Sequence, residues 1–318
     1  MSVVVLVEVE EGRASLVSRE TLTFARSLGA GPLHALVVGT VPEGVVSDCR
    51  EHGVEVVHEA TDPVLEQYAA AAWAALVEAA GRAARADLVI APGTGRGNEV
   101  LAHVAARRGL RMAANVVAVE SLNPLVVQRQ FVGGAALERT SVPSRVRLIT
   151  MAGHAVDPSP ADAPGEARVS PLAVDIDPKD LRAQVARVEM REGGDTSGLS
   201  SAKVVVGAGR GAGGPEGFAT VDALAERLGG AVGVSRVVTS LGWRPHHEQV
   251  GQTGSRIAPD LYLACGISGS IQHWAGCASS QTIIAVNTDP DAPMVTKADY
   301  AVIGDMHEVL PAVLEELG

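Results

Sequence analysis

The chain has 318 residues, 47% of them hydrophobic and 20% charged, with a formal net charge of −11. That charge excludes a nucleic-acid binder, which would carry a basic face, and excludes docking on anionic lipid through a polybasic patch. Aromatic residues make up only 3% of the chain, so the core must come from Ala, Val, Leu and Ile, as suits buried parallel strands.

The length favours two domains over one. Cys49, Cys265 and Cys277 are too few and too scattered for a disulfide framework or a zinc site. They read as reduced thiols of a cytoplasmic protein. The opening run MSVVVLVEVEEGRAS is broken by Glu8 and Glu10 and lacks a basic start, so it is expected to be a first strand and not a signal peptide. No stretch approaches the roughly 20 apolar residues of a membrane span.

In chain order, strands are expected at 3–8, 34–39, 54–58 and 87–91. Helical patterns occupy 18–28, the stretch before residue 52, the Ala-rich segment 61–85, and the run after PGTGRGNE to about residue 107. Such alternation predicts βαβ units and a mostly parallel sheet. Strand-like segments 114–119, 125–131 and 145–150 then follow without long helices, which suggests an antiparallel extension. The segment GHAVDPSPADAPG (153–165) reads as an exposed loop. REGGDTSGLSS (191–201) is a polar linker, dividing an N-terminal α/β domain (1–190) from a second domain (202–318).

The second domain restarts the α/β rhythm with strands at 203–206, 231–234, 261–264, 282–286 and 301–303. Helices are expected at 216–228, from 270, and at 305–317, with Asp305 placed to cap the last. The fold class is therefore α/β with two domains, the C-terminal one a doubly wound parallel sheet. VVVGAGRGA (204–212) fits G-x-G-x-x-G/A through Gly207, Gly209 and Ala212, a pattern that places phosphate at a helix start but also arises as a plain glycine turn. A nicotinamide fingerprint would need an acid about 20 residues on. Val234, Ser235 and Arg236 occupy that place. Arg236 leaves open an NADP-dependent oxidoreductase that uses the Gly207 to Gly209 loop.

Later segments are richer in ligand-binding character. VGQTGSRIAPDLYLACGISGSIQHWAG (250–276) sets glycines among Gln252, Thr253, Ser268, Gln272 and His273. AVNTDPDAP (285–293) and Gly304 with Asp305 follow strands, where open α/β sheets bind ligands.

Taken together, GRG (209–211), VGVSR (232–236), QVGQTG (249–254), APDLYLACGISGSIQH (258–273), AVNTDPDAP (285–293) and ADYAVIGD (298–305) resemble the alpha subunit of electron-transfer flavoproteins in order and spacing. The likeness covers 203 to the C-terminus closely and the first half more loosely, mainly through DLVIAPGTGRGNEVLAHVAARRG (87–109). It implies one FAD in the second domain and a beta subunit as heterodimer partner, itself holding AMP or a second FAD. The implied function is electron transport linked to fatty-acid oxidation. Electrons would come from acyl-CoA or related flavin dehydrogenases and go to a membrane quinone oxidoreductase or another acceptor.

By the same resemblance, Arg210 lies near the cofactor, and Ser235 and Arg236 match a Ser-Arg pair over the flavin. Arg236 also admits a plain surface ion pair. Gln249, Gln252 and Thr253 match a loop at the flavin ring, with the Thr253 hydroxyl near N5. Gly266, Ser268 and Gly269 match the loop that holds the pyrophosphate. Gln272 and His273 match the pyrimidine side, where the imidazole would donate to the C2 carbonyl. Asn287 and Asp305 match the adenosine end. No conventional acid, base or nucleophile is among them. WRPHHE (243–248) departs from the family by placing Glu248 where a basic residue is common, and His246 and His247 read as a solvated loop. GGAALER (133–139) departs as well.

Overall fold

The computed structural model describes residues 2–131, 136–186, 198–199 and 202–317. They form two compact units, one made by the described residues up to 186 and the other by those from 198 onward. The linker read at 191–201 lies outside the described residues apart from Gly198 and Leu199, and so do 133–135 of the GGAALER segment.

The first unit holds β1 (Val3–Leu6), a small hairpin of β2 (Val9–Glu10) and β3 (Arg13–Ala14), β4 (Leu33–Val38), β5 (Val56–Ala60), β6 (Leu88–Pro92), β7 (Met112–Leu122), β8 (Leu125–Phe131), β9 (Ala136–Val142), β10 (Arg147–Met151) and β11 (Arg168–Pro171). Its nine-stranded sheet runs β11-β5-β4-β1-β6-β10-β7-β8-β9. All pairings from β11 to β7 are parallel, and β7, β8 and β9 form an antiparallel meander. Helices α1 (Leu16–Ser27), α2 (Glu43–Glu51), α3 (Ala70–Ala83) and α4 (Gly95–Arg108) accompany it.

Three expectations need correction here. The strand expected at 145–150 is no part of the antiparallel extension. As β10 it lies parallel between β6 and β7, with Leu148, Ile149 and Met151 wholly buried; an apolar run covered on both faces belongs in the parallel centre. β9, polar and largely exposed, was not anticipated. The helix expected over 61–85 begins only at Ala70, because Asp62 caps a separate short turn over Pro63–Leu65.

The second unit has five strands, β12 (Val204–Ala208), β13 (Ala231–Val234), β14 (Leu261–Cys265), β15 (Thr282–Asn287) and β16 (Tyr300–Ile303), all parallel in the order β13-β12-β14-β15-β16. Their short β-branched runs feed alternate side chains to opposite faces. Val206, Ala208, Cys265 and Val286 pack with α5 (Ala219–Arg227) and α9 (Met306–Leu317) through Leu224, Met306 and Leu310. Val205, Tyr262, Ala264 and Ala285 pack with α7 (Ile271–Cys277) and α8 (Pro293–Lys297) through Cys277 and Met294. α6 (Arg236–Ser240) is a single turn after β13. The sheet is doubly wound, and its strand order reverses between β12 and β14, the place where ligands of such sheets sit. Among the described residues no helix is long and apolar enough to cross a membrane.

Candidate functional site

At the reversal the loops after β12 and β14 are tied through backbone, Gly209 N–H donating to Cys265 O (2.9 Å) and Gly211 N–H to Gly266 O (3.1 Å). The approach requires glycine. A Cβ on Gly209 would stand 2.9 Å from Ile267 Cα, and Gly266 has φ +59°. Past these loops two adjoining cavities open along the carboxyl ends of the strands, about 540 and 320 Å³ in volume. Ser235, Val237, Ile267 and Ser268 wall both.

The larger cavity takes Arg210 from the loop after β12, Gly266 from that after β14, Asn287 from the end of β15 and Asp305 from the start of α9. The smaller takes Arg236, Gln249, Gln252, Thr253, Gly269, Gln272 and His273. Every residue that the family resemblance nominated for the cofactor therefore lines one cavity or both. His246 and His247 line neither.

Several local arrangements fix these side chains. Ser270 caps α7, accepting from His273 N–H (3.4 Å), which sets His273 one turn in. Asp305 caps the last helix as expected, its Oδ1 accepting from His307 N–H (2.9 Å). Asn287 is committed to structure: Nδ2 donates to Ile267 O (2.9 Å) and Oδ1 accepts from Asp289 N–H (3.1 Å). The Gln249 amide is 2% exposed and bridges the hydroxyls of Thr239 (2.8 Å) and Thr253 (2.9 Å). Glu248 turns from the cavities to Arg244 (2.7 and 2.9 Å), so the acid at this position leaves the charge of the site untouched.

The cavities carry charge of both signs: Arg210, Asp289 and Asp305 line the larger, and Arg236 lines the smaller. Arg210 and Arg236 are exposed, and neither makes an ion pair with a described residue, so the surface ion pair expected as an alternative for Arg236 does not form among the described residues. Of the described residues that line the cavities, two have a buried polar atom without a partner: Ser235 Oγ, which heads α6 without capping it, and His273 Nδ1. Buried polar groups are normally paired, so both mark places where a ligand's polar atoms fit. Burial pushes the His273 imidazole down to about 4, with the neighbouring Val250 backbone a smaller, opposing influence. His273 is therefore uncharged at neutral pH.

The glycine pattern does something other than its fingerprint suggests. Gly207 lies inside β12 and lines neither cavity, and the turn at Gly209 leads to two short 3-10 segments, Arg210–Ala212 and Pro215–Phe218. α5 starts only at Ala219. No helix N-terminus stands behind the loop to hold a pyrophosphate, which removes the geometry a nicotinamide fingerprint needs. Residues that sequence reasoning missed include Val237 and Ile267, the apolar wall shared by both cavities, and Thr239 and Tyr262, which act from outside them. An apolar residue in a short helix or loop, such as Val237 or Ile267, carries no signal of this kind.

The fold and its cavities define a two-unit α/β protein with a ligand-sized cleft, lined by both arginines and aspartates, at the reversal of a doubly wound sheet. The electron transfer flavoprotein domain profile matches residues 3–177, and the electron transfer flavoprotein FAD-binding domain profile matches 198–278. Relatives named electron transfer flavoprotein subunit alpha include those of Thermoanaerobacterium thermosaccharolyticum (31% identical over 98% of this chain and 96% of theirs) and Bacillus subtilis (33%, over 99% and 96%). One from Mycobacterium tuberculosis is 36% identical over 99% of this chain and 98% of its own. The chain belongs to the electron transfer flavoprotein alpha-subunit family.

Proposed function

We propose that this chain is the FAD-carrying alpha subunit of a heterodimeric electron-transfer flavoprotein, working in the cytoplasm as an electron carrier with no substrate-turnover site of its own. Its donors would be acyl-CoA or related flavin dehydrogenases, and its acceptor a membrane quinone oxidoreductase or an equivalent. The beta subunit would hold AMP or a second FAD. The supporting observation is the gathering on two adjoining cavities of all the residues that the family resemblance nominated for the cofactor, with Ser235 Oγ and His273 Nδ1 buried there and without a hydrogen bond among the described residues.

The residues present fit the cofactor. Arg236, Gln249, Gln252, Thr253, Gln272 and His273 would hold the flavin ring in the smaller cavity, and Arg210, Gly266, Ser268, Asn287 and Asp305 the phosphates and adenosine in the larger. Bound FAD supplies the redox chemistry. The chain's own contribution is electrostatic and steric. Arg236 places a fixed positive charge where reduction adds negative charge. Thr253 carries a hydroxyl able to donate at the ring, and Val237 with Ile267 keeps water from the shared wall. Asn287 holds the loops after β14 and β15 together beneath the nucleotide.

Coexpression with the beta subunit tests this. The purified complex should be yellow, bleach on reduction and return one FAD per alpha chain on denaturation. Arg236→Ala should lower the flavin reduction potential while leaving the thermal midpoint within a few degrees. A colourless complex that binds NADPH would end the reading.

A further inference from the structure

Gly207 remains without a role at the cavities, although it is the first residue of the glycine pattern. Its surroundings supply one. A Cβ at Gly207 would lie 2.6 Å from Tyr262 Cε2 and 2.8 Å from Cζ, so only glycine leaves space for the Tyr262 ring against β12. Tyr262 is completely buried. Among the described residues its hydroxyl has one hydrogen-bond partner, His273 Nε2, at 2.8 Å. The two rings lie 6.2 Å apart at 27°.

The direction of this bond is determined by what else each partner can do. Burial raises the Tyr262 hydroxyl well above its ordinary range, so it keeps its proton. With no other acceptor among the described residues, that proton must go to Nε2 or be left buried and unpaired, which is costly. An imidazole nitrogen that accepts leaves the proton of the neutral ring on the other nitrogen. Among the described residues Nδ1 makes no hydrogen bond of normal geometry and is shielded from solvent, with the Val250 backbone a weak further attraction for the imidazole's proton, and its residue walls the smaller cavity.

We infer that Gly207 and Tyr262 form a buried positioning pair that fixes His273 as the Nδ1–H tautomer, presenting one hydrogen-bond donor, without charge, to an acceptor atom of the ligand in the smaller cavity. The inference rests on the flavin reading for the identity of that ligand. It adds that the donor's orientation is set from outside the site, by a tyrosine that touches no ligand. A merely structural Tyr262 would leave the choice of tautomer to the imidazole and the Val250 backbone.

Nitrogen-15 NMR of the histidine-labelled complex with its beta subunit reads the tautomer directly, with His273 assigned by its absence in His273→Gln. The wild type should show a protonated, pyrrole-like Nδ1 and a bare, pyridine-like Nε2, unchanged between pH 6 and 8. Tyr262→Phe should lose that pattern, moving to Nε2–H or to a mixture, and Gly207→Ala should do the same by displacing the Tyr262 ring. In either variant the reduced flavin should lose about tenfold in affinity relative to the oxidised form, or about 30 mV for a two-electron couple. An Nε2–H or doubly protonated His273 in the wild type overturns the inference without recourse to any variant. A Tyr262→Phe protein that folds and keeps the Nδ1–H pattern overturns it as well. A colourless wild-type complex that still shows Nδ1–H would retire the flavin reading and leave the positioning pair standing.

Discussion

Arg244 and Glu248 meet through both carboxylate oxygens, Nε to Oε2 at 2.7 Å and Nη2 to Oε1 at 2.9 Å, one helical turn apart in sequence. Asp222 on α5 accepts from the same guanidinium at 3.1 Å, which also lies 5.3 Å from the centre of the Phe218 ring. This cluster anchors the irregular stretch before Gln249 to the helix behind the sheet. Arg244→Ala strands two carboxylates and exposes Phe218, and should cost about 2–3 kcal/mol in urea unfolding. Glu248→Gln keeps the shape and one acceptor, and should cost about 1 kcal/mol or less. Equal costs would mean that the pair does not anchor the turn.

Two glycines should respond to alanine in opposite directions. At Gly209 a Cβ would meet Ile267 Cα and Cγ1 at 2.9 Å, and the backbone ties of this loop leave it no room to withdraw. Gly209→Ala should cost about 2 kcal/mol or more, the range of overpacking, and should reduce cofactor retention. Gly81 lies inside α3, where an added Cβ meets nothing within 4 Å. Gly81→Ala should stabilise by about 0.5–1 kcal/mol through helix propensity alone. Paired thermal melts decide both.

Much of this could be read from the sequence because the signals were local. Short, β-branched apolar runs such as VVVL (3–6) and LVIAP (88–92) read as strands buried on both faces, and glycine clusters after strands mark where loops converge. What could not be read depends on pairing across long separations. β10 is as apolar as a central strand, but nothing within it says that it inserts between β6 and β7. Gly207 fitted a phosphate motif because the pattern records spacing. Its actual constraint, the Tyr262 ring, comes from a strand more than 50 residues away. Thr239 reaches Gln249 only because α6 turns immediately after β13.

Asn287 offers a test of how the cavity floor is held. Its amide donates to Ile267 O and its carbonyl accepts from Asp289 N–H, so it bridges the loops after β14 and β15. Asn287→Ala removes both bonds and should cost about 1–2 kcal/mol. Asn287→Asp keeps the acceptor but turns a carboxylate oxygen on the Ile267 carbonyl, and should be the worse of the two. Hydrogen exchange would show the loosening first at Ile267 and Ser268. An aspartate variant as stable as wild type would mean that the donor is dispensable.

Acid should destabilise the fold before most carboxylates titrate, because several histidines are buried uncharged. Burial lowers His34, His52 and His58 below the ordinary value of 6.5, and lowers His273 to about 4. A histidine with a depressed pKa in the fold takes up its proton earlier in the unfolded chain, so stability is complete above pH 6.5 and drains away as pH falls below it. The loss from each site ends when the folded protein itself titrates, near pH 4 for His273. At about 1.4 kcal/mol per pH unit, His273 alone contributes a loss of roughly 3 kcal/mol between those limits. Chemical denaturation at half-unit steps from pH 7.5 to 4 measures it, with His273→Gln as the comparison. The variant starts lower at pH 7.5 because it loses the Tyr262 bond, yet its curve should fall less steeply through this window. Parallel curves would show that His273 titrates alike in the folded and unfolded chain.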